Sequence, residues 1–191
     1  MSALRAGLLA GRAVALAGTG SSSLPMALRA LGAETHALSD GVLADEDGAA
    51  AWAAARAPLT AAVIDAAPAF GAGGAVPLRG ALECAWRAAR AAATGAMIGA
   101  DAPGKLVFIG PPPAAGPYAA AARDGLENLA RTLSVEWARY AITTAAIAPG
   151  DATTAEELGQ LVGFLVSPAG AFISGCRLDL GLVAAPAVSR T

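Results

Sequence analysis

The chain is short of the residues that most often perform chemistry. Its 191 residues include one histidine, His36, one lysine, Lys105, two tyrosines, Tyr118 and Tyr140, and two cysteines, Cys84 and Cys176. The cysteines are far apart, lack a CxxC pairing and have a single histidine in the whole chain to join them. Neither a disulfide framework nor a zinc site is therefore expected, no metal is expected, and a reducing, cytoplasmic setting is the default. Basic charge is also thin and unclustered: 13 Lys and Arg stand singly against 15 Asp and Glu, for a net charge of −2. A chain of this kind has no electrostatic footprint for nucleic acid or an anionic membrane surface. No run approaches 18 uninterrupted apolar residues, which argues against a membrane span. The apolar N-terminal stretch is broken at Arg12 and continues into a strand pattern, so no signal peptide is expected.

Alanine is what the chain has most of, 54 residues of it. Alanine contributes little burial per residue, so the core should be thin and close-packed. The length suits a single domain, 1–191. Short β-rich apolar runs at 13–17, 34–38, 61–66, 106–109, 142–148 and 177–180 alternate with helical patterns. That alternation predicts a doubly wound parallel α/β sheet.

Three helices are legible between the strands. Over 118–138, Leu126, Leu129, Leu133 and Trp137 recur three or four apart, and Glu127 and Arg131 are spaced to pair on the outer face. Thr154 to Glu157 has capping-box spacing and opens a helix carrying Leu158, Leu161, Val162 and Leu165, which Ser167-Pro168 stops. A third, rich in Ala, Arg and Trp, is expected over about 80–97. Gly- and Pro-rich stretches at 70–74 and 111–117 read as loops at strand ends. His36 reads as a satisfied or exposed strand residue, and the 21–23 serine run as helix capping or loop solvation. Cys84 and Cys176 read as small buried apolar residues.

Several of these segments together, RDGLENLARTLSVEWARYAITTAAIAPG from Arg123, the helix EELGQLVGFLVSP and the ending FISGCRLDLG, resemble the short-chain dehydrogenase/reductase family. GRAVALAGTGSSS from Gly11 stands at the place of that family's glycine-rich turn, and AAVIDAAP from Ala61 at its Asn-Asn-Ala-Gly strand end. The resemblance implies a Rossmann-like sheet, hydride exchange with NAD(P) and a tetrameric assembly. It also implies a Tyr acting as acid or base, a Lys four residues later, a Ser and an Asn. At those positions this chain has Ala119, Arg123, Gly110 or Pro111, and a residue near Leu82. Tyr118 falls one residue early, and Arg123 does not replace a lysine, because its planar fork is not deprotonated.

The cofactor positions are depleted too. Gly18 and Gly20 remain, with Asp40 twenty residues on where an acid would reach the adenine ribose, but Ser22 and Leu24 replace later glycines. Asp65-Ala-Ala-Pro68 brings a carboxylate to where the family has amides. Between 38 and 61 there is room for one short helix where the family has a helix, a strand and a helix. After Gly150 the chain runs through Asp151 directly into the last helix, with no insertion to serve as a lid. The segments best preserved are those that in the family form subunit interfaces: 80–97, 118–138 and the C-terminal helix and strand.

Read together, these features predict a non-catalytic subunit, a pseudoenzyme that joins an active paralogue, as a heterotetramer, in an NAD(P)-dependent dehydrogenase or reductase. No cofactor is expected on this chain, and NAD(P) is expected on the partner. Two other readings stand beside it. One is an active NAD(P)-dependent oxidoreductase with weak cofactor binding, using Tyr118 and Arg123. The other is a homomeric small-ligand module with a cleft near Asp65 and Pro111.

Overall fold

In the computed structural model, which describes residues 4–19, 23–100 and 103–182, six parallel strands form one sheet in the order β2-β1-β3-β4-β5-β6. They are β1 (Ala13–Ala17), β2 (Glu34–Leu38), β3 (Ala61–Asp65), β4 (Gly104–Ile109), β5 (Ile142–Ala148) and β6 (Cys176–Asp179). Every strand anticipated from the apolar runs is present, three with the anticipated bounds. The reason is visible in burial: β4 is buried at all six positions and β3 at four of five. Central strands of a parallel sheet are covered on both faces and so read as continuous apolar runs.

Alternate side chains feed two cores. Ala15, Ala17, Ile64, Leu106 and Phe108 point to one layer. That layer holds α3 (Glu46–Ala54), α5 (Ala75–Ala92) and α6 (Ala119–Glu136). Val14, Leu16, Val63, Val107 and Ile109 point to the other, built on α1 (Leu24–Ala30) and α7 (Ala155–Val166). Alanine makes these layers thin. Six buried alanines line α5 alone, and a Cβ on Gly125 of α6 would come within 2.9 Å of Leu82 on α5.

The expected helices are found, with adjusted ends. The capping box at Thr154 and Glu157 is formed in both directions, and Glu127 pairs with Arg131 at 2.6 Å. The α5 helix starts at Ala75, before the expected 80, because Pro77 fits a first turn, where its missing N–H has no intrahelical bond to lose. Its end, 93–97, is a π-helical turn. Between β2 and β3 lie two short helices rather than one, α2 (Asp40–Leu43) and α3, the second capped by the Asp45 side chain on the Gly48 N–H. A further short helix, α4 (Ala67–Phe70), follows β3. Two minor expectations are corrected. Ser23 is the N-cap of α1 but makes no side-chain capping bond, and Ser21 and Ser22 lie outside the described residues. Cys84 and Cys176 are free thiols and only half-buried. Among the described residues no helix is long and apolar enough to cross a membrane, and no metal-ligand cluster occurs.

Candidate functional site

Parallel strands place all their C-terminal ends along one edge of the sheet, where the loops that follow them converge. Here the convergence brings together Gly18, Asp40, Asp65, Gly110, Gly150 and Asp179, which terminate or follow β1, β2, β3, β4, β5 and β6. Arg123 of α6 reaches the same edge. A Cβ on Gly110 would lie 3.1 Å from the Arg123 Cγ, so the arginine stem occupies the space beside the position of the family's serine. Its Nη2 lies 3.1 Å from Oδ2 of Asp179, with the two side chains 14% and 17% exposed. The Nε of Arg123 is buried without a hydrogen-bond partner, an uncommon cost for a guanidinium. Asp179 was not anticipated as a site residue: it lies 56 positions from Arg123, and no local spacing joins them.

The pair belongs to a wider charge network that ties the edge strand to α6. Arg177 on β6 bonds Asp124 at 3.0 Å and Glu127 at 2.8 Å, and lies 3.9 Å from Asp179.

The other predicted positions separate. Ala119 is buried at the first turn of α6, one turn before Arg123. Leu82 packs against Gly125 of α6. Tyr118 is not a helical residue in another phase, as one-residue slippage would imply. It is the N-cap of α6, in the left-handed region at φ 70°, and is 55% exposed. Lys105 lies inside β4 rather than before it, but at the N-terminal end, across the sheet from these groups. His36 sits on strand β2 at the sheet edge with Glu34 at 3.4 Å.

The surviving glycine of the turn after β1 has a reason of its own. Gly18 adopts φ +69°, and a Cβ there would fall 2.0 Å from the Asp65 carbonyl oxygen. Close approach of β1 to the end of β3 therefore requires glycine whether or not a phosphate is bound. Gly20 lies outside the described residues. Asp40 is exposed at the start of α2, immediately beyond β2. The Asp65 carboxylate accepts from the Ala67 N–H at 3.0 Å. Burial pushes its pKa up to about 6, against a lowering contribution from that hydrogen bond.

The loops at this edge are laced to one another. The carbonyl of Pro117 accepts from Gly74 N–H at 3.4 Å, and a Cβ on Gly116 would meet the Ala72 carbonyl oxygen at 2.4 Å. Asp151, in the turn between β5 and α7, accepts from the Ala114 N–H at 2.7 Å. A Cβ on Gly150 would stand 2.7 Å from the Cα of Gly181 beyond β6.

No family model matches the chain and no curated protein matches it in sequence. Its fold is nonetheless shared with solved dehydrogenases. The chain is similar to a citronellol catabolism dehydrogenase of Pseudomonas aeruginosa PAO1, with 22% identity, TM-score 0.73, and 95% of this chain and 98% of that one covered. It is similar to a hydroxysteroid dehydrogenase of Escherichia coli, with 16% identity, TM-score 0.71 and coverage of 92% and 98%. A third similar structure is a putative NAD(P)-dependent gluconate 5-dehydrogenase of Beutenbergia cavernae with bound NADP, at 25% identity, TM-score 0.67 and coverage of 90% and 95%.

Proposed function

We propose that this chain, whose fold is that of the NAD(P)-dependent short-chain dehydrogenases/reductases, is a non-catalytic subunit that assembles with and stabilises an active paralogue. One observation carries the reading: the Arg123 stem stands against Gly110, and its guanidinium is held by Asp179, at the edge where the family performs its chemistry. Leu82, Gly110 and Ala119 carry no group able to move a proton, and the Arg123 guanidinium is engaged by Asp179. Tyr118 points the alternative reading nowhere useful, being exposed and ahead of the helix.

Among the described residues, those at the strand ends do not favour a bound dinucleotide on this chain. The Asp65 carboxylate, at the end of β3 beside the Gly18 turn, disfavours a pyrophosphate there. Asp40 alone stands where a ribose contact would form. NAD(P) is assigned to the partner subunit.

What remains is suited to assembly. The outer faces of α5 and α6 expose Val76 (82%), Trp86 (41%) and Val135 (76%), and Trp86 stacks on Trp137 across the two helices at 6.3 Å. Near the α7 and β6 surface, Phe172 is 95% exposed. Exposed apolar side chains of this size favour burial against another subunit. The test is native mass spectrometry of tagged protein from its own host, with NAD(H) and NADP(H) scored in the same spectra. A mixed tetramer with dinucleotide only on a longer relative is the expected outcome. A homomer with one dinucleotide per chain would overturn the proposal.

A further inference from the structure

The opposite edge of the sheet, where strands begin, has a buried cation without a counter-ion among the described residues. Lys105 is 5% exposed on the α1/α7 face of β4. Its Nζ donates to the carbonyls of Gly170, at 3.1 Å, and Ile173. Both acceptors are neutral, no carboxylate among the described residues pairs with the ammonium, and a third N–H is left over. Taking a charge out of water without a partner is costly, and the neighbouring C-terminal end of α7 offsets only part of it.

Lys105 borders a cavity of about 190 Å³ lined also by Arg12, Thr60, Thr143, Val166 and Ser167. The guanidinium of half-buried Arg12 makes no hydrogen bond or ion pair with any described residue. Two of the hydroxyls are already spent as donors, Thr60 on the Ala13 carbonyl and Ser167 on that of Phe164. Thr143 holds its acceptor, the Gly104 carbonyl, only at 3.5 Å, so its O–H is free to turn. The lining therefore presents two cations, one available hydroxyl and no acid.

The cavity between α3 and α5 is different: Arg87 and Arg90 face Glu46 and Asp47 there, and Arg90 is paired with Glu46. Its charges cancel, and it calls for no ion.

We infer that the cavity at the N-terminal ends of β1, β3, β4 and β5 is a binding site for a small oxyanion. Arg12 supplies the bidentate contact, while the third N–H of Lys105 and the Thr143 hydroxyl complete the shell. The volume is ample for a phosphate- or carboxylate-sized group with some of its water. This site is independent of the strand-end reading above and survives its failure.

Thermal denaturation in inorganic phosphate, in acetate and in sodium chloride of matched ionic strength tests it, on the wild-type chain and on Arg12→Gln and Arg139→Gln. Phosphate should raise Tm saturably, by about 3–5 °C at ten times its dissociation constant. Arg12→Gln, whose side chain has no partner to lose among the described residues, should weaken binding at least tenfold, while the exposed Arg139→Gln should leave it unchanged. A response to acetate as well identifies the carboxylate as sufficient; a response to phosphate alone identifies phosphate as the ligand chemistry. A rise no greater than that in sodium chloride, or one unaltered in Arg12→Gln, would overturn the inference.

Discussion

Replacing Asp65 by Asn should make the chain more stable at neutral pH and remove most of a characteristic pH dependence. The Asp65 carboxyl is pushed from its ordinary 3.8 to about 6 by burial at the end of β3. Between those values the folded chain binds more protons than the unfolded one, so stability is greatest on the acid side and falls as pH rises through the window. A displacement of roughly two units corresponds to at most about 3 kcal/mol. The asparagine Oδ1 can keep the bond to the Ala67 N–H, but its amide N–H groups need partners of their own, which trims the gain to about 2 kcal/mol at pH 7. Urea unfolding at half-unit steps from pH 4 to 8 measures this directly, provided the slope with urea is unchanged. The two proteins should converge near pH 4 and separate progressively to pH 7. Parallel curves, or a variant less stable at pH 7, would refute the argument that burial of the carboxylate dominates its surroundings.

Four further outcomes follow from the geometry. Gly18→Ala, which puts a Cβ 2.0 Å from a backbone oxygen at φ +69°, should cost more than about 2 kcal/mol in urea unfolding. Thr154→Ala dissolves the capping box of α7 and should cost about 1 kcal/mol by the same measurement. Lys105, whose pKa burial lowers to about 8, binds more protons unfolded than folded between there and its ordinary 10.5. Wild-type stability should consequently gain a rising contribution from pH 8 to 10.5 that is absent in Lys105→Met, as read from denaturation midpoints. Arg123→Leu leaves the Asp179 carboxylate with the Gly181 N–H at 2.9 Å and Arg177 at 3.9 Å and should cost about 2 kcal/mol, without creating dinucleotide binding in a fluorescence titration with NADH.

The strands were legible because a sheet covered on both sides writes its burial into consecutive residues, as in 106–109 and 142–148. The helix over 118–138 and the Thr154 capping box were legible for the same reason, since 3.6-residue periodicity and cap spacing are local signals. Element ends were less so. The early start of α5 depends on Pro77 occupying a first turn, and the second short helix before β3 depends on Asp45 as a cap. Tyr118, at the expected start of the helix over 118–138, lies just outside it as the left-handed N-cap, a backbone state no local spacing signals.

At the candidate site, the identities at 82, 110, 119 and 123 were visible in the chain, and so was the loss of an acid–base set. What stands against what was not. Arg123 meets Asp179 across 56 positions, and Gly18 owes its glycine to the carbonyl of a residue two strands' worth of chain away. Lys105 finds its acceptors in a turn 65 and 68 positions on. Which groups exist, and how each strand and helix buries its face, follow from neighbours a few residues apart. Which charges are paired and which stand alone follows from the packing of distant segments, because the sheet order β2-β1-β3-β4-β5-β6 sets those distances.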